Sequence, residues 1–188
     1  MSTTRPPTPP APPATTSPWA RRRKSPLHGW GMIATTDIPA GTRIIEYVGK
    51  KITKAESARI EAAREERRAR GGAGHVWIFD LNKTHDIDGD VPWNTARHIN
   101  HSCTPNAQSD NARGHIWITA RRDIPTGEEI TFDYGFPYAT WRDHPCCCGT
   151  KKCVGYIVAS EHRWRVKKIL RAEKTAARKR ARAAKRVA

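Results

Sequence analysis

The chain has 188 residues, room for one ordinary domain with extensions; 37% are hydrophobic and the mean hydropathy is −0.73. No apolar run approaches the roughly 18–20 residues that span a bilayer, and the Pro/Thr-rich start has no apolar signal region, so the expectation is an intracellular protein. Lys and Arg outnumber Asp and Glu by 34 to 18, a net charge of +16. That charge is segregated: residues 1–24 carry +5, residues 163–188 carry +11, and residues 25–162 are formally neutral with 17 groups of each sign.

The first 18 residues hold seven of the 14 prolines, and such a stretch can neither pair its backbone nor bury a core. Residues 1–24 are therefore expected to be a disordered, Pro-rich basic arm. Its closing run, Arg21-Arg22-Arg23-Lys24, reads either as a solvated linker or as a polyanion contact. From Ser25 the signals are strand and turn, with Gly29-Trp30-Gly31 and Pro39-Ala40-Gly41 punctuating the runs Met32–Ala34 and Ile44–Val48. Thr53 with Glu56 three residues later is a capping box, and predicts a helix through about Arg70 that Gly71-Gly72 stops. Strands are predicted at His75–Leu81, His115–Thr119 and Glu129–Asp133, with a short strand or turn at His98–Asn100. Many short strands with one helix give a mostly β (α+β) domain. After Glu161, Trp164, Ile169 and Leu170 give way to an Ala/Arg/Lys alternation that favours helix but repels itself, so this tail should order on a polyanion or fray.

Five cysteines, Cys103, Cys146, Cys147, Cys148 and Cys153, are an odd count with four inside eight residues, a poor disulfide framework. Cys146-x-Cys148-x4-Cys153 has the spacing of a thiolate metal loop, with Gly149 to turn the chain. Zinc is the metal such thiolates most often select, and a closed site needs four ligands. Cys147 would point away from its neighbours, so a distant fourth ligand fits better. A redox cluster remains the other reading of the spacing.

The run Asn94-Thr95-Ala96-Arg97-His98-Ile99-Asn100-His101-Ser102-Cys103-Thr104-Pro105-Asn106 resembles the signature of SET-domain protein-lysine methyltransferases. Gly29-Trp30-Gly31, Glu46-Tyr47-Val48-Gly49, Gly127–Tyr134 and the cysteine loop resemble the family's other motifs, in order, over roughly 130 residues from Ser25 to Tyr156. The resemblance implies a fold of small β-sheets whose Asn-His-Ser-Cys segment threads a pseudoknot, with one inserted helix and a zinc-bound post-SET segment. Its divisions here are the SET domain over 25–139, the post-SET segment over 140–158, and a basic tail of helix-favouring composition over 159–188.

The resemblance further implies S-adenosylmethionine as methyl donor and zinc held by Cys146, Cys148, Cys153 and, as the distant ligand, Cys103. Tyr134 is implied as catalytic. Gly29, Trp30, Gly31, Arg97, Asn100, His101 and Tyr156 are implied as cofactor contacts, with Trp77, Phe132 and Phe136 lining the substrate channel. Phe132 stands where the family's Phe/Tyr choice bears on product state, and phenylalanine favours di- or trimethylation. Departures are Trp77 where tyrosine is common, His98 in place of phenylalanine, Lys50 where an acid is common, and a short connection from Phe79 to Asn94.

The expected substrate is a lysine in a histone or histone-like DNA-bound protein, in a nucleus or a bacterial nucleoid, with nucleic-acid contact through the basic tails and no membrane. An alternative is a nucleic-acid-binding module that uses the SET core as a scaffold. A third reading, Cys103 and His101 as nucleophile and base, has only their proximity in sequence behind it.

Overall fold

Short β-prone runs separated by Gly and Pro cannot build one large sheet, and the chain forms several small ones. A computed structural model describes residues 14–26, 29–71 and 77–187. Strands β1 (Ala20–Lys24), β2 (Trp30–Ala34), β3 (Arg43–Tyr47) and β4 (Lys50–Thr53) precede helix α1 (Lys54–Ala69). Strands β5 (Ile78–Asp80), β6 (His85–Asp88), β7 (Asn100–His101), β8 (Ala107–Ala112), β9 (His115–Ala120) and β10 (Glu129–Phe132) follow, and helix α2 (Arg163–Val187) ends the described chain.

Among the described residues the strands form a β1-β2-β10-β7 sheet, a β3-β9-β8 sheet and a β4-β6-β5 sheet. The named pairings are antiparallel except one: β7 runs parallel to β10, with Asn100 beside Thr131 and His101 beside Phe132. Asn106 secures this crossing by donating to the Glu128 carboxylate (2.7 Å) and the Glu129 carbonyl (2.8 Å) while accepting from the Thr131 amide (2.8 Å). Beneath it lies a core of branched aliphatics, including Ile38, Ile118, Ile124 and Ile130. The mostly β, SET-type architecture implied by the motifs is the one observed.

The capping box forms in full: the Thr53 amide donates to Glu56 Oε2 (2.8 Å), and the Glu56 amide to Thr53 Oγ1 (3.2 Å). Strand β5 is shorter than the predicted His75–Leu81; residues 72–76, including Gly72 and His75, lie outside the described residues. At His98–Asn100 the chain makes a 3₁₀ turn over Thr95–His98 and then β7.

One expectation needs correcting and a second holds only in part, since the tail is helical as its composition favours but its first turns do not fray. Residues 14–24 do not belong to a disordered arm. Thr15 exchanges hydrogen bonds with Trp93 and Thr95, Trp19 packs on the core, and Ala20–Lys24 pairs with β2 along its whole length. A strand at a sheet edge can carry four cations because one of its sides stays in solvent, and Trp30 accepts two of them: the Arg22 guanidinium and the Lys24 ammonium each lie 4.5 Å from its ring centroid. The arm expectation over residues 1–13 falls outside the described residues. The tail, in turn, is a 25-residue helix. Its first turns are tied down, since Val166 is fully buried with Trp141 and Val158, and Ile169 and Leu170 pack against the same cluster. Tertiary packing of one apolar stripe outweighs like-charge repulsion there.

Candidate active site

Strand β10 ends in Phe132, and the chain continues as Asp133-Tyr134-Gly135-Phe136 beside the crossing with β7. This places Tyr134 where three aromatic rings converge: Phe132 at 4.9 Å, Phe136 at 5.8 Å and His101 at 5.4 Å between centroids. Its hydroxyl donates to the Ile99 carbonyl (2.9 Å) and its amide to His101 Nδ1 (3.2 Å). Burial, helped by the Glu129 carboxylate, pushes the Tyr134 phenol above its ordinary range, so it stays protonated. His101 is the converse case. Burial first, and the Arg163 cation second, push it down to about 4, which leaves a neutral imidazole whose Nδ1 can accept.

Tyr134, Phe132, Phe136, Trp77 and Arg97 line one cavity of about 280 Å³, together with Phe79, Ile99 and Asp80. Trp77 is braced by cations, with the Arg97 and Arg64 guanidinium carbons 5.5 and 5.9 Å from its ring. Arg97 also pairs with Asp90 (3.2 Å), while its buried Nε–H has no partner.

The Gly-Trp-Gly turn is tied to Asn100, the neighbour of cavity residue Ile99. Gly29 adopts a φ of 51°, in the left-handed region that glycine occupies without strain. A β-carbon on Gly31 would collide with the Glu129 carboxylate. Glu129 accepts from Ser25 Oγ (2.7 Å) and Asn100 Nδ2 (2.7 Å), and Asn100 also donates to the Trp30 carbonyl (3.0 Å). One carboxylate thus ties the glycine turn, β7 and β10 together. The Trp30 ring stays 42% exposed.

The residues implied by the motifs therefore sit in two neighbouring groups. Trp77, Arg97, Phe132, Tyr134 and Phe136 share the cavity, while Gly29, Trp30, Gly31 and Asn100 gather around Glu129. His101 joins them from below, its imidazole engaged by the Tyr134 amide and 3.5 Å from Cys103 Sγ. Tyr156 stands apart, edge-on to Trp141 at 4.6 Å in the second core.

Cys103, Cys146, Cys148 and Cys153 come together with all four sulfurs within 4.8 Å of one another, and Cys147 is exposed. Tetrahedral zinc with bonds of about 2.3 Å has sulfur–sulfur edges of about 3.8 Å, and Cys103 and Cys146 stand 3.9 Å apart. The thiols alone cannot all ionise. The Cys103 contact and then burial push Cys146 upward, and burial raises Cys153 to about 11. Burial opposes ionisation of Cys148 as well, but hydrogen bonds led by Thr150 bring it down to about 6. A dication supplies the charge that lets four thiolates share this volume. The donor set fits zinc.

Sequence reasoning missed Arg163. It donates to the Cys103 carbonyl (2.7 Å), the Val158 carbonyl (3.3 Å) and Asp133 Oδ2 (2.6 Å), joining α2 to the distant cysteine and to the residue preceding Tyr134. An arginine inside a basic run carries no signal of such a role. Glu129 was legible only as part of the Gly127–Tyr134 motif.

Comparison with known proteins agrees with this geometry. The SET domain family model matches residues 29–135. The chain is 36% identical over 143 residues to the histone-lysine N-methyltransferase, H3 lysine-4 specific, of Emericella nidulans, covering 73% of this chain and 11% of that protein. It is 38% identical over 138 residues to histone-lysine N-methyltransferase set-2 of Caenorhabditis elegans, covering 71% and 9%. Over 138 residues it is also 38% identical to histone-lysine N-methyltransferase trithorax of Drosophila virilis, covering 71% and 3%. The chain thus spans about a tenth or less of the length of these relatives. With the motifs, the β7–β10 crossing and the family match in agreement, the chain belongs to the SET-domain family.

Proposed function

We propose that this chain is an S-adenosylmethionine-dependent protein-lysine N-methyltransferase acting on a histone or histone-like DNA-bound protein. The observation that carries the reading is the aromatic cavity that ends at Tyr134 beside the Asn100 and Gly-Trp-Gly group. When bound, S-adenosylmethionine supplies a methyl group on a sulfonium cation for in-line attack by a lysine amine. The buried, partnerless Arg97 Nε–H and the half-exposed Trp30 ring suit a ligand with a carboxylate and a planar base. Asn100, Gly29, Gly31 and the His101 backbone complete the contacts we assign to it, with Tyr156 as an outer aromatic.

The chain's own work is on the lysine. An ordinary lysine has a pKa of about 10.4, so roughly one in a thousand is neutral near pH 7.4, a gap of about 4 kcal/mol. Walls of Phe132, Phe136 and Trp77 disfavour the ammonium form and so lower that pKa. Tyr134, held protonated and anchored on the Ile99 carbonyl, orients the reacting centre, and the rest is positioning. Phe132 supports methylation beyond the first step, since its ring carries no hydroxyl to hold a water in the channel. Zinc on Cys103, Cys146, Cys148 and Cys153 would fix the post-SET segment beside Tyr134 and has no direct part in methyl transfer.

The setting we assign is a nucleus or a bacterial nucleoid, with the basic termini in contact with nucleic acid. No helix among the described residues is long and apolar enough to cross a membrane. Mass spectrometry of lysines methylated in a chromatin or nucleoid extract tests the reading. Mono-, di- and trimethyl products are resolved in the same experiment, and an extract left unmodified would overturn it.

A further inference from the structure

Helix α2 carries twelve Lys/Arg and one acid, Glu173. At 3.6 residues per turn, Lys167, Arg171, Lys174, Arg178, Arg182 and Lys185 fall on a single stripe, about 27 Å long at 1.5 Å per residue. All six are exposed. Among the described residues the ion pairs of α2 are Arg163 with Asp133 and Glu173 with Arg142, so none of the stripe is neutralised. The apolar side of the helix is used on the core by Val166, Ile169 and Leu170. Beyond Glu173 the helix runs on about 20 Å.

We propose that this stripe is a docking surface for the phosphate backbone of duplex DNA. The inference deepens the partner half of the proposed function and rests on that reading. A duplex presents one negative charge per roughly 1.7 Å of axis, so a straight file of six cations meets an excess of phosphates along its full length. Binding also relieves the repulsion between neighbouring cations on the helix. An anionic membrane fits less well: the exposed Trp164 lies in the first turn, at the fixed base of the helix, and among the described residues the distal apolar side offers only the exposed alanines Ala176, Ala177, Ala181 and Ala184. An acidic peptide would need pockets for its side chains, and the stripe is a bare convex rod. The helix is also no loose tether: Val166 packs its base into the second core and Arg163 ties it to Cys103 and Asp133, which holds bound DNA at a set position relative to the cavity.

The test is anisotropy of a labelled 20-base-pair duplex of random sequence titrated with the full chain at several salt concentrations, without cofactor. Wild type should give a slope of log Kobs against log salt of about −5. The stripe variant Lys174→Ala/Arg178→Ala/Arg182→Ala should be shallower by about 3 and at least tenfold weaker. A control of equal charge, Lys168→Ala/Lys179→Ala/Arg180→Ala, should keep a slope within about 1 of wild type. Alanine favours helix, so circular dichroism should find α2 intact in both. Equal losses in the two variants would overturn the stripe. So would tighter binding to single-stranded DNA, duplex RNA, polyglutamate or phosphatidylserine vesicles. Binding is read here without methyl transfer, so its failure is separable from failure of the methyltransferase reading. Both variants should methylate a free peptide as wild type does, and loss of that activity in the stripe variant alone would contradict a purely docking role.

Discussion

Tyr134 holds one hydrogen bond from its hydroxyl, to the Ile99 carbonyl, so removing that oxygen tests chemistry with little structural disturbance. Tyr134→Phe is expected to cost about 1 kcal/mol of stability while lowering kcat by about two orders of magnitude or more, consistent with a positioning contribution. Arg163→Met is expected to do the opposite in kind. It strips the cation from Asp133, whose side chain is 23% exposed, and should cost about 3 kcal/mol. Burial already raises the Asp133 pKa, with Arg163 opposing, and loss of the cation raises it further. A folded-state pKa above the unfolded one means the folded protein holds the extra proton, so stability falls as pH rises through that range. The gap in melting temperature between wild type and Arg163→Met should therefore narrow as pH drops from 7 toward 5, and a constant gap would count against the pair. Tyr134 was readable from its motif. Arg163 was not, because the two partners that link it to the site lie 30 and 60 positions away in sequence.

At the level of elements, legibility followed hydrophobic pattern. Strands β2, β3, β9 and β10 alternate or concentrate aliphatic residues, and α1 announces itself through its capping box. Strands β1, β4, β6 and β8 read Ala-Arg-Arg-Arg-Lys, Lys-Lys-Ile-Thr, His-Asp-Ile-Asp and Ala-Gln-Ser-Asp-Asn-Ala. They carry little apolar signal, since each is held mainly by its neighbour's backbone and gives the core little beyond Ala20, Ile87 and Ala107. The cysteine loop was legible through spacing, and its distant ligand only through family resemblance. Removing that element's metal gives a clean expectation. The purified chain should release one zinc per molecule to a chromogenic chelator, and Cys148→Ser should lose both the zinc and protection of the post-SET backbone from hydrogen exchange. Retention of a full zinc complement in that variant would exclude the four-cysteine site. Val166→Ala should cost about 2 kcal/mol and should raise exchange along α2 before it affects β10.

Across the whole molecule, charge and chemistry occupy different places. The neutral middle of the chain holds the cavity, the Glu129 group and the cysteines, whereas the +11 of residues 163–188 belongs to helix α2, whose first turns form part of the second core. Composition alone suggested a nucleic-acid-binding protein. The fold instead joins a cationic helix to the residue preceding Tyr134, with Arg163 as the junction. The measurement that bears most directly on this account is transfer of labelled methyl from S-adenosylmethionine to a panel of basic proteins, histones included, by wild type and by Tyr134→Phe. Wild type should label lysine side chains, and the variant should fall at least a hundredfold while binding duplex DNA as before. No transfer by wild type to any protein, or equal transfer by the variant, would contradict it.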